Sequence, residues 1–180
     1  YHGSSRPLCP WARGAFSFVR QKMETMKRYE MDHGWSIPVP EGWVAAYDEE
    51  TGAYLLYPED GSMTLYFTPY HAEKEGRLAP GEIMEAAYLQ SVPAGACPLD
   101  TTAFQLDGLS VKGFTVTEER DGKRTFVRLV GYYGPGELLS VGVYGRTEEE
   151  CERAMELLKG LQKAPVNRFQ DLTIQEKEGL

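Results

Sequence analysis

Hydrophobic and polar residues alternate along several stretches of this chain, and this period of two predicts β-strands. In the first stretch Tyr29, Met31, His33, Trp35 and Ile37 fall on one face of a single predicted strand. The later strands are predicted at 43–47, 53–57, 63–68, 109–119, 125–133 and 137–144.

Turn residues separate these strands and predict two antiparallel meanders. Pro38 and Pro40 cannot donate to a strand ladder, so the chain must leave a central strand position there. Gly52 suits a positive φ in a hairpin loop, and Asp121-Gly122 is typical of a type I′ turn. Short hairpin connections at these places favour neighbouring strands that run in opposite directions.

A helix is predicted after the first meander. Pro80 suits its first turn, because the missing N–H would have no helical partner there. The spacing places Ile83, Ala86, Ala87 and Gln90 on one face of this helix.

A second helix is predicted after the second meander. Thr147 and Glu150 have the spacing of a capping box, which marks the first residue of the helix. The apolar stripe that follows is typical of a helix packed on a sheet. Its members are Cys151, Ala154, Met155, Leu158 and Leu161.

This order of elements indicates an α+β fold, with an antiparallel sheet of about six to seven strands flanked by helices. We expect residues 29–163 to form the domain and residues 164–180 to form a polar tail. Residues 1–28 are expected to be a basic leader or N-terminal helix, or else not to be native. If they form a helix, its apolar face comprises Phe16, Val19, Met23 and Met26.

The corner between the first strands carries a family resemblance. The letters WSIPVPEGW at 35–43, followed by ETG and YPEDG, resemble the opening of the PsbP-like fold. This fold is shared by the photosystem II extrinsic protein and the Mog-type Ran-binding protein. The resemblance covers residues 29–163 and implies an α/β/α sandwich that acts by binding, as extrinsic subunits, GTPase-binding factors and chaperones do. It implies no catalytic residue.

Charge and composition restrict the partners. The 180 residues carry a net charge of −8, and residues 1–28 alone are basic, so the remainder is strongly acidic. An acidic surface repels phosphate backbones, which argues against nucleic acid and is compatible with a protein partner.

No apolar run approaches the roughly 20 residues of a membrane span. Cys9, Cys97 and Cys151 lack disulfide-framework or zinc spacing, so a reducing cytoplasm is expected.

No catalytic constellation is recognised, and we expect no metal ion and no cofactor. A nucleophilic site needs a Ser or Cys, a His and an orienting acid. The histidines are His2, His33 and His71. His33 is expected to be a structural, partly buried imidazole of the first strand, which leaves His71 as the candidate reactive one. The sequence indicates no partner for it.

Two aromatic stretches are candidate binding surfaces. Tyr70 and His71 lie at a strand end, and Tyr132 and Tyr133 precede a Gly-Pro-Gly turn. Tyrosine is enriched at interfaces, but it also lines the ordinary boundary between core and water. The function expected is a non-catalytic protein-binding or adaptor module. The alternatives are a small hydrolase that uses carboxylates or His71, and a chaperone-like protein that masks an apolar helix of a partner.

Overall fold

The computed structural model describes residues 26–165. Its helices are α1 (Gly81–Ser91) and α2 (Glu148–Glu156). Its strands are β1 (Arg28–Glu30), β2 (Trp35–Pro38), β3 (Trp43–Asp48), β4 (Ala53–Pro58), β5 (Met63–His71), β6 (Glu73–Lys74), β7 (Arg77–Leu78), β8 (Cys97–Leu99), β9 (Ser110–Arg120), β10 (Lys123–Gly134), β11 (Glu137–Gly145) and β12 (Gln162–Lys163).

The main sheet of the described chain has seven strands in the order β3-β4-β5-β11-β10-β9-β8, and each neighbouring pair is antiparallel. A smaller sheet has the order β1-β2-β12, and β6 and β7 form a separate hairpin. The predicted α+β class, with a sheet of this size between helices, is confirmed.

The two faces of the main sheet bury different clusters. We call the face that includes Leu65, Phe67 and Val141 the inner face; it packs against α2 and the smaller sheet in the larger apolar core. The opposite face, the outer face, contacts α1 in a second cluster that includes Tyr133 and Leu138. Alternate residues of each strand therefore serve different layers.

The single strand predicted from Tyr29 to Ile37 is wrong. The chain forms β1 and β2, which pair antiparallel with Tyr29 opposite Ile37. A tight turn over Asp32–Gly34 joins them, with φ of 62° at His33 and 81° at Gly34. Gly34 adopts the left-handed region without steric cost. A Cβ at Gly34 would also lie 2.6 Å from the carbonyl oxygen of Ala164, so glycine is required there.

The face predicted for α1 is also wrong. Met84 and Tyr88 are the buried residues of α1, whereas Ile83 is 58% exposed. Ala86, Ala87 and Gln90 are exposed as well. Tyr88 determines this orientation, because its ring lies over Gly131 of β10, the position at which the sheet leaves room for it.

The prediction for α2 is confirmed in detail. The side chain of Thr147 accepts a hydrogen bond from the backbone N–H of Glu150, whose carboxylate accepts one from the N–H of Thr147. The predicted apolar stripe is buried throughout, and a 3₁₀ turn over Leu157–Gly160 continues the helix.

The small sheet brings together the two ends of the described chain, since β1 begins at Arg28 and β12 ends at Lys163. The helix predicted around Phe16, Val19 and Met23 lies outside the described residues, as does the tail from 166 onward. Within residues 26–165 no helix is long and apolar enough to span a membrane.

Candidate functional site

A cluster of charged and aromatic side chains lies where β5 ends and β11 begins. His71, the last residue of β5, pairs in register with Glu137, the first residue of β11. The Nδ1 atom of His71 lies 3.7 Å from Oε1 of Glu137, and its Nε2 atom lies 3.4 Å from Oε2 of Glu73. The imidazole of His71 is therefore flanked by carboxylates on both nitrogens.

The turn between β1 and β2 brings a second imidazole to this cluster. The rings of His33 and His71 stack with centroids 5.3 Å apart and planes inclined by 25°. The prediction that His33 is a partly buried residue of a strand is wrong. His33 lies in the turn between β1 and β2, and its side chain is exposed. No sequence pattern indicates the contact between the two rings, because it joins residues that are far apart in the chain.

Lys163 of β12 connects the cluster to the core. Its Nζ atom lies 3.0 Å from Oε2 of Glu137 and donates a hydrogen bond to the carbonyl oxygen of His33. It also lies 5.7 Å from the ring centroid of Trp35, within the range of a cation–π contact. We call His33, His71, Glu73, Glu137 and Lys163 the histidine cluster.

The histidine cluster offers proton acceptors and donors but no hydroxyl or thiol nucleophile. Among residues 26–165 no serine, threonine or cysteine side chain forms a hydrogen bond with His71, whose partners are Glu73 and Glu137. No group of His, Cys, Asp or Glu in the same part of the chain has an arrangement that could hold a metal ion. Chemically, the cluster resembles an ion-pair network that ties β12 and the His33 turn to the sheet.

Tyr70 remains a surface candidate. It alternates with His71 along β5, so it lies on the outer face, opposite Leu138 in register. Its side chain is 50% exposed. Tyr70 and His71 therefore lie on opposite faces of the sheet and do not form one patch.

The prediction that Tyr132 and Tyr133 are surface residues is wrong. Tyr132 is fully buried on the inner face beside Trp35, with ring centroids 6.1 Å apart, and burial raises the pKa of its phenol. Tyr133 is 7% exposed and packs under α1. β10 is a central strand with a layer on each face, so both alternating sets of its side chains are covered here.

A surface that the sequence did not single out lies on the rest of the outer face. Strand register places two rows of apolar and aromatic residues there, beside the part that α1 covers. Val127, which register places between Tyr144 and Val116, is buried at 1% exposure, and the residues around it are exposed or partly exposed. We call this surface the open patch, and its members are Val44, Leu55, Tyr57, Tyr66, Val116, Leu129 and Tyr144.

Two tyrosine rings of the open patch are in contact. The ring centroids of Tyr66 and Tyr144 lie 5.3 Å apart in an edge-to-face arrangement, and the Tyr144 ring lies over Gly142, which is in the same strand and is opposite Tyr66 in register. Partial burial, with smaller effects of Glu118 and Tyr66, raises the pKa of Tyr144. Val44 and Tyr66 are 36% and 37% exposed, so apolar surface faces solvent across several strands.

No protein-family model matches the sequence, and no curated protein matches it significantly. Among solved structures, the fold is similar to that of a protein from Bacteroides thetaiotaomicron, with a TM-score of 0.61 and 12% identity over 79% of this chain and 50% of that one. It is also similar to cyanobacterial PsbP from Synechocystis sp. PCC 6803, with a TM-score of 0.49 and 11% identity over 77% and 92% of the two chains.

A further similar structure is LpqN, described as involved in cell envelope biogenesis of Mycobacterium tuberculosis, with a TM-score of 0.40 and 16% identity over 79% of this chain and 90% of that one. The chain spans half the length of the Bacteroides protein. The predicted resemblance to the PsbP-like fold is confirmed as a structural similarity. At these identities the similarity concerns the fold alone, and the two lower TM-scores support no further argument.

Proposed function

We propose that this chain is a non-catalytic protein-binding module whose partner docks on the open patch. The observation that carries the proposal is the uncovered half of the outer face, where Val44, Tyr66 and Tyr144 share one apolar surface. Extended apolar surfaces are uncommon on monomers and mark sites of interaction. Tyrosine suits such a site, because it supplies a large contact area at low entropic cost.

The partner that fits this surface is an amphipathic helix with basic residues on its polar side. α1 is the precedent within the molecule, since it seats Met84 and Tyr88 on the adjoining half of the same face. The net charge of −8 favours a basic partner. This proposal includes the chaperone-like alternative, because covering the apolar side of a partner helix would also shield that helix from aggregation.

Affinity capture from the source lysate tests the proposal, with the full-length chain as bait. Tyr66→Lys places a charge at the centre of the open patch and is expected to reduce recovery of a stoichiometric partner by about tenfold or more. Ile83→Lys is the matched control, because Ile83 is exposed on α1 outside the patch. Equal recovery with wild type and Tyr66→Lys would contradict the proposal.

The hydrolase alternative rests on one observation, the position of His71 between two carboxylates. It is less well supported, because both ring nitrogens face acidic oxygens and no described hydroxyl or thiol side chain forms a hydrogen bond with them. Any hydrolysis detected in purified protein can be assigned by comparing wild type with His71→Ala. Loss of turnover in a variant that remains folded would favour the hydrolase over the binding module.

A further inference from the structure

The two edges of the main sheet are protected very differently. At one edge β8 has three residues, and its central residue is Pro98, which cannot donate to an added strand. At the other edge β3 has six residues and contains neither lysine nor proline. Its register with β4 is continuous from Trp43–Pro58 to Asp48–Ala53, so it has no bulge. Natural sheets usually carry such devices on an exposed edge.

The backbone groups of Ala45 and Tyr47 point away from β4. The N–H of Trp43 donates to the carbonyl of Pro40, 3.2 Å away, and Pro58 opposite Trp43 has no N–H. Trp43 therefore does not form a hydrogen-bonded pair with β4. Because such pairs alternate along an antiparallel ladder, Ala45 and Tyr47 also direct their N–H and C=O groups outward.

A recess lies beside this edge on its inner side. Its volume is about 500 Å³, and its walls include Tyr29, Val39, Pro40, Trp43 and Ala45. The small side chain of Ala45 opens the recess, because its neighbours on the same face, Trp43 and Tyr47, are both aromatic. A strand added to β3 would place every second side chain on this inner side.

We propose that β3 is a docking edge for an extended segment of another protein, which adds to the sheet as an eighth strand. Backbone hydrogen bonds to Ala45 and Tyr47 supply affinity, and a bulky apolar side chain in the recess supplies selectivity. Asp48 and Glu49 favour a basic residue where the added segment passes that end of β3, whereas Lys27 and Arg28 offset Glu41 at the other end, where all three line the recess. This site adjoins the open patch at Val44 of β3 but uses the backbone edge and the inner side of the strand, so it goes beyond the proposed function.

A second copy of this chain fits the edge less well than another protein. If two copies paired their β3 strands antiparallel about a two-fold axis at Ala45, Glu41 of each copy would lie opposite Glu49 of the other. This contact between like charges would therefore occur twice. Like charges directly opposite each other in a sheet are destabilising. The net charge of −8 on each copy adds to the repulsion.

Selection from a displayed library of random octapeptides against the full-length protein provides the probe. We expect enrichment of extended peptides with one bulky apolar residue and with Lys or Arg at the end that lies beside Asp48 and Glu49. N-methylation of alternate amides in a selected peptide is expected to weaken binding about tenfold or more, because it removes ladder donors. Peptide addition is expected to slow hydrogen exchange of the Ala45 and Tyr47 amides.

Two variants separate the edge from the recess. Ala45→Pro removes one outward donor and is expected to weaken the peptides about tenfold. Ala45→Leu keeps the backbone N–H donors of β3 but fills the recess, and it is expected to abolish the preference for a bulky apolar residue in the peptide. This variant tests the inference even if Ala45→Pro does not fold. Tyr66→Lys is the control on the open patch and is expected to leave peptide binding unchanged.

Four results would overturn the inference. The first is that no extended peptide is enriched, and the second is that selected peptides bind wild type and folded Ala45→Pro equally. The third is that the amides of Ala45 and Tyr47 exchange slowly before peptide is added. The fourth is that sedimentation shows a dimer of this chain and that Ala45→Pro abolishes it. The last result would assign the edge to a second copy. A peptide that responds to Tyr66→Lys alone would belong to the open patch instead, so the two proposals fail independently.

Discussion

The ring of Tyr88 on α1 lies directly on the backbone of Gly131 in β10. A Cβ at Gly131 would lie 2.5 Å from two ring carbons and 2.6 Å from Cζ. Tyr88, which packs α1 on the sheet, therefore fits only because position 131 is a glycine. Tyr88 is 2% exposed, and burial raises the pKa of its phenol.

We predict that Gly131→Ala lowers the free energy of unfolding by about 1–3 kcal/mol, because the methyl group must displace the Tyr88 ring. Urea denaturation measures the change. In a Tyr88→Ala background the same substitution should cost much less, since the clashing ring is gone. Equal costs in the two backgrounds would show that the contact does not position α1.

We predict that Lys163→Met destabilises the fold by about 1–3 kcal/mol, because Glu137 loses its ammonium partner and the His33 carbonyl loses its donor. The Glu137 side chain is 17% exposed, so water replaces the partner only in part. Lys74→Met, in the exposed β6–β7 hairpin, is the control and should change the free energy of unfolding by less than about 0.5 kcal/mol. Adding Glu137→Gln to Lys163→Met should recover part of the loss.

We predict that Asp48 contributes to the acid dependence of stability. A hydrogen bond from the Thr51 hydroxyl and one from the Glu50 N–H hold the pKa of Asp48 below its ordinary value of 3.8. Its contribution is present above pH 3.8 and is lost as the pH falls through the lowered pKa. In Asp48→Asn, the free energy of unfolding should fall less steeply over this acidic range. Identical slopes would refute the prediction.

We predict that the two described thiols differ strongly in reactivity. Cys97 is exposed, whereas Cys151 is buried and its Sγ donates to the carbonyl of Phe126 at 3.1 Å. Burial raises the pKa of Cys151, which lowers its thiolate fraction. In a Cys9→Ser background, iodoacetamide should modify Cys151 on the order of 100-fold more slowly than Cys97. Comparable rates measured by mass spectrometry would indicate that α2 opens readily.

The elements that could be predicted from the sequence are those that local chemistry specifies. Asp121-Gly122 forms the predicted turn with φ of 53° and 72°, and the Thr147 capping box begins α2. The Met63, Leu65 and Phe67 alternation matches the buried side of β5. In each case the decisive residues lie within a few positions of one another.

The errors arose where tertiary contacts override a local pattern. Met31, Trp35 and Ile37 are all buried, so their alternation continues across a turn and imitates one strand. α1 has apolar residues on two sides, and the buried side is the one that seats Met84 and places Tyr88 over Gly131. The His33–His71 stack joins separate elements and has no local signal. The open patch emerges only when strand register aligns residues from several hairpins.

The unequal edges of the main sheet limit how copies could assemble. A head-to-tail chain of sheets needs two accepting edges on each molecule, whereas the described chain offers β3 and ends at β8, with Pro98 at its centre. Growth by strand addition would therefore stop after one step. On the described main sheet, a strand added at β3 would therefore have no matching acceptor at β8 from which a second addition could follow.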